Sequence, residues 1–249
     1  MQKNKLKVSI QIIGALFLIA INLIEFIRPA TNWPNTIATV NQDQTEIYFS
    51  DDIWLKFGSF GAQFAFFTNW TNWLFIGTII YGWIFQKYIN PYWKNALSTY
   101  LLITTIIFFM ILSPFLKWGK SMWVDYIWIH EHFLVSIAWF IYVLTTPTVR
   151  IKSWKKSVWI TLSVPLVYFF FTLGIYINSN FTIAIYPFLN FANIFNLNLS
   201  IFNSVLLSII VIFIIICGFL TTNFLFLEIN HHQTIRHHAF SHHQKVDKK

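Results

Sequence analysis

Ser204-Val-Leu-Leu-Ser-Ile-Ile-Val-Ile-Phe-Ile-Ile-Ile-Cys-Gly-Phe-Leu-Thr-Thr-Asn-Phe-Leu-Phe-Leu227 runs without a single charged residue. At 1.5 Å of helical rise per residue this stretch reaches roughly 36 Å, more than the roughly 30 Å of a bilayer's hydrocarbon core. It therefore predicts a membrane-spanning helix, and its neighbours repeat the pattern. Apolar runs at Val8–Ile27, Gly61–Phe85, Ala96–Leu116, Tyr126–Thr146 and Ser157–Ile177 are each long enough to cross. The expected class is all-α: an integral membrane bundle of about six transmembrane helices over residues 1–229. Residues 230–249 are expected to form a His-rich, basic and disordered tail.

Composition agrees. Only 10% of the 249 residues are charged, against roughly a quarter in a soluble domain, too few to cover a globular surface. The lone cysteine, Cys217, lies inside an apolar run, so no disulfide framework is expected. The net charge of +8 could suit nucleic acid, but the cations are divided among short loops, where they orient a membrane protein. With a cytoplasmic N-terminus, one side holds Lys3, Lys5, Lys7, Lys87, Lys94, Arg150, Lys152, Lys155, Lys156, Arg236, Lys245, Lys248 and Lys249. The other holds Arg28, Lys56, Lys117 and Lys120, a split of 13 against 4. The positive-inside rule then predicts both termini to be cytoplasmic. The first outer loop carries Asp43, Glu46, Asp51 and Asp52. The first span is expected to be retained, since its core exceeds a signal peptide's and no small-x-small site follows.

Polar groups inside spans are costly, so each marks a candidate site. Thr68, Thr71 and Asn72 stand at i, i+3 and i+4 and share a helix face, with Asn69 beside them. The plainer reading is that they bond helices together, as Thr and Asn do in membranes. The fourth span carries His130-Glu131-His132. Two histidines at i and i+2 point to nearly opposite sides of an α-helix, so one is expected to face the bundle and the other the lipid headgroups or a neighbour. That spacing also excludes joint chelation of one metal, and differs from the His-Glu-x-x-His zinc motif. Glu131 requires a cationic or hydrogen-bonding partner. Counted along the spans, Thr68 lies ~10 Å and His132 ~9 Å below the outer face, so the two are level. Glu25, near the outer end of the first span, can join them or snorkel to water. A hydroxyl, an imidazole and a carboxylate at one depth are the parts of a nucleophile–base–orienter set. The tail pairs His231-His232, His237-His238 and His242-His243 lack cysteines or carboxylates spaced to close a site, so no metal and no cofactor is expected.

Three segments together resemble the androgen-induced membrane protein family and its six-helix bacterial relatives; the layout is also similar to that of a mollicute membrane family. Thr68-Asn69-Trp70-Thr71-Asn72 is similar to that family's Thr-x-x-Ser/Asp-Asn/Leu stretch. His132 resembles its helix histidine, and Tyr186-Pro187-Phe188-Leu189 its Tyr-Pro-Phe-Leu/Met element in the last outer loop. The resemblance covers most of residues 8–227. It implies a threonine hydrolase of fatty acid esters, with Thr68 as nucleophile and His132 as base. The family has a proline four or five residues after its histidine, where this chain has Ser136 and Ile137, and His130 is the alternative base.

The expected partners are membrane lipids and a lipid ester substrate, with no nucleic acid. Asn72 or Asn69 is the expected oxyanion donor. The rival reading is a non-catalytic membrane component, such as a small-molecule-binding transporter subunit, using Glu25, Glu131 and His130 as ligand or proton contacts.

Overall fold

The computed structural model describes residues 66–85, 89–113, 126, 129–146, 149–179, 185–192, 194, 197 and 199–246. The first proposed span, Glu25 and the acidic first outer loop lie outside the described residues. The described residues form five α-helices in order: α1 (Phe67–Phe85), α2 (Pro91–Ile107), α3 (Val135–Thr145), α4 (Trp154–Asn178) and α5 (Ile201–Val246). Two π-helical stretches adjoin them, Phe108–Leu112 continuing α2 and His130–Leu134 leading into α3. Among the described residues there is no strand.

Local chemistry sets the helix starts. Before α2, the Asn90 side chain accepts the Tyr92 N–H at 2.9 Å, and Pro91 at the first position costs no hydrogen bond. Ser153 caps α4 in the same way, accepting from the Lys156 N–H. Helix α4 continues through Pro165, and in the turn before it the Ile160 carbonyl accepts from the Tyr100 and Ser163 hydroxyls at 2.9 and 2.7 Å.

Among the described residues, three helices are long and apolar enough to cross a membrane: Pro91–Met110, Trp154–Asn178 and Ile201–Ile235. They differ in placement. The apolar window of the first is 61% buried and those of the other two 17%, so α2 is the central post and α4 and α5 present hydrocarbon outward. Helix α2 packs on all four other helices, and its Leu97, Tyr100 and Leu101 are fully buried. Trp159, Phe170, Phe202 and Phe213 are exposed on α4 and α5. In water each would forgo roughly 1.5–3 kcal/mol of burial; in hydrocarbon it would not.

Polar ties hold the bundle together where apolar faces alone give little direction. Asn223 Oδ1 on α5 accepts from Asn95 Nδ2 at 2.6 Å, Ser157 Oγ at 2.9 Å and Thr161 Oγ1 at 2.8 Å. On the same side of the bundle, the buried Lys94 ammonium donates to the Val143 carbonyl and the Thr146 hydroxyl at the end of α3. A cation suits that helix C-terminus. Helix α5 corrects the expectation of a disordered tail: it continues to Val246, 46 residues and about 69 Å. No Gly or Pro interrupts residues 228–246, and Glu228 pairs with His232 one turn on at 3.1 Å.

Candidate active site

Helix α1 buries the face expected of it: Thr68, Thr71 and Asn72 are all enclosed. They divide the work. The Thr71 hydroxyl bonds back to the Thr68 carbonyl at 2.8 Å. Asn72 Nδ2 donates to the Glu131 carbonyl at 3.3 Å and so ties α1 to the His130–Leu134 stretch. That leaves the Thr68 hydroxyl, which lies 3.2 Å from His132 Nε2.

His130 and His132 are both buried, 0% and 8% exposed, and they meet different neighbours. Both lie in the π-helical turn of residues 130–134, in which side chains two apart still point to nearly opposite sides. His130 packs beside the Tyr126 ring at 5.9 Å. His132 stacks on Phe108 with ring centroids 3.9 Å apart, which fixes the imidazole plane toward Thr68. The Thr105 hydroxyl donates to the His132 carbonyl, and the Ser136 hydroxyl lies 2.8 Å from Thr105 Oγ1.

Thr68 and His132 stand on the wall of a cavity of about 230 Å³. Its other walls are largely hydrocarbon, including Ile107, Leu162, Phe169, Ile212 and Phe219. Leu166, Phe170 and Ile216 line it and are also exposed, so the cavity reaches the outside of the bundle between α4 and α5. Tyr186 closes it from the loop before α5. The phenol oxygen accepts the Phe67 N–H at 3.1 Å, and the ring stacks on Phe188 at 5.1 Å.

A hydroxyl at this distance from a ring nitrogen can lose its proton to it while attacking an electrophile. An apolar cavity around the pair suits a substrate delivered as hydrocarbon. Comparison with known protein families, curated proteins and solved structures finds no match.

Of the residues singled out in the sequence, Thr68, His132 and Tyr186 meet at the cavity. Thr71 and Asn72 serve the backbone, and Asn69 and Glu131 are half-buried and do not line it. No group of three His, Cys, Asp or Glu able to hold a metal occurs among the described residues. Sequence reasoning missed Phe108, Thr105 and Tyr168. Tyr168 alone carried a signal, a phenol within the otherwise apolar Leu166–Phe171 run.

Proposed function

We propose that this chain is a multi-pass membrane protein of six spans, both termini cytoplasmic, that hydrolyses a lipid ester within the outer half of the bilayer. The observation that carries the reading is the 3.2 Å approach of Thr68 Oγ1 to His132 Nε2 on the wall of an apolar cavity. A threonine hydroxyl is a poor nucleophile at neutral pH and needs such a base. His132 Nε2 takes the Thr68 proton as Oγ1 bonds to the ester carbonyl carbon, and the carbonyl π pair moves to oxygen. When the tetrahedral species collapses, the ester C–O bond breaks and the departing alcohol takes the proton from His132. Water, deprotonated by His132, then attacks the acyl-threonine and releases the acid. The resemblance to the androgen-induced family supports the same assignment and a fatty acid ester as substrate.

The test is turnover of p-nitrophenyl palmitate by the purified full chain in detergent, with Thr68→Ala beside wild type. The substitution should reduce turnover to background while the thermal melt is kept, and a long-chain fluorophosphonate should label wild type at Thr68 only. Equal turnover by wild type and Thr68→Ala sinks the mechanism.

A further inference from the structure

An acyl transfer needs a donor for the negative oxygen of the tetrahedral species, and neither asparagine beside Thr68 supplies one. Asn72 is committed to the Glu131 carbonyl, and neither Asn69 nor Asn72 lines the cavity. Among the described residues, the polar ones that line it besides Thr68 and His132 are Thr104, Thr172, Tyr168 and Tyr186. The first two spend their protons on their own helices: Thr104 Oγ1 donates to the Leu101 carbonyl and Thr172 Oγ1 to that of Phe169, both at 2.9 Å. Two phenols remain.

Tyr186 is the one beside the nucleophile. Its hydroxyl oxygen accepts the N–H of Phe67, the residue before Thr68, at 3.1 Å, and Tyr186 and Thr68 line the same cavity. A phenol oxygen that accepts a backbone N–H holds its own proton more loosely and donates it more strongly, because hydrogen bonds in a chain polarise one another. The ring is locked between its stack on Phe188 and an edge contact with Phe66 at 6.1 Å. A donor fixed before reaction, in a cavity walled by hydrocarbon, is the arrangement that stabilises developing charge best.

We infer that Tyr186 is a catalytic residue whose phenol proton is the oxyanion donor for acyl transfer to Thr68. This rests on the hydrolase reading and adds a residue from a loop distant in sequence. When Thr68 Oγ1 bonds to the carbonyl carbon, the Tyr186 phenol proton turns to the new alkoxide. It stays on the phenol throughout. On collapse the electron pair returns to the carbonyl and the hydrogen bond weakens.

The experiment is steady-state hydrolysis of p-nitrophenyl palmitate by wild type, Thr68→Ala, Tyr186→Phe and Tyr168→Phe. Tyr186→Phe keeps the ring and its stack, so kcat should fall roughly 10²-fold or more while KM stays within about threefold. A long-chain trifluoromethyl ketone, which forms an oxyanion on Thr68, should lose affinity by a similar factor. The matching long-chain alcohol, which only fills the cavity, should not. Tyr168→Phe should cost less than about tenfold. If Tyr186→Phe turns over within threefold of wild type while Thr68→Ala is dead, Tyr186 is not the donor and the hydrolase stands. If Thr68→Ala is as active as wild type, the hydrolase reading itself fails. Should Tyr186→Phe not fold, fluorotyrosines placed at 186 keep the packing: kcat that tracks phenol acidity supports the donor, and kcat indifferent to it overturns it.

Discussion

Two imidazoles two residues apart give the site its sharpest question, and their surroundings answer it differently. His132 touches Thr68 and stacks on Phe108; His130 sits fully buried beside Tyr126. His132→Gln should therefore lower turnover by roughly 10²–10⁴, the usual worth of a general base. His130→Gln should keep turnover within about tenfold. Equal losses in a turnover assay would show that the pair is not divided in this way. Thr68→Ser, which keeps the hydroxyl at the same place, should retain measurable turnover where Thr68→Val has none. The shared face of Thr68, Thr71 and Asn72 was legible in the sequence because spacing alone sets it on an α-helix. Which histidine meets it was not legible, because His-Glu-His puts an imidazole on either side of the helix and nothing local says which side faces α1.

Helices α2, α4 and α5 are joined by one oxygen, Asn223 Oδ1, which takes three donors from two neighbouring helices. Hydrogen bonds inside membranes average about 0.6 kcal/mol each, so the three together are worth roughly 2 kcal/mol. Asn223→Leu should lower unfolding free energy by about that amount in an SDS titration, with both α2 and α4 loosened. A loss below about 0.5 kcal/mol would mean that other partners replace it. Asn223 is an ordinary polar residue in the sequence, one of three in Thr221-Thr222-Asn223. Its weight comes from Asn95, 128 positions away, and no local pattern carries such a distance. The helix through residues 228–246 was missed for another reason. Histidine pairs and a basic end read as solvated chain, yet every residue there tolerates helical geometry once α5 has nucleated it.

At the scale of the whole chain, apolar length and loop charge are local properties, so the helical class and the spans Ala96–Leu116, Ser157–Ile177 and Ser204–Leu227 could be read directly; each overlaps a long apolar helix. The central place of α2 could not, since it depends on which faces meet. The proposed topology yields its own test. In a Cys217→Ser background, Asp43→Cys should react with a membrane-impermeant maleimide on intact cells, and Lys152→Cys only after permeabilisation. The opposite pattern would invert the topology. The side opening between α4 and α5, bordered by Leu166, Phe170 and Ile216, has a kinetic corollary. A catalyst entered sideways from hydrocarbon responds to the mole fraction of ester in its own two-dimensional solvent. Diluting a fixed amount of ester with inert detergent or lipid should then slow each enzyme molecule in proportion, even though the concentration in the tube is unchanged.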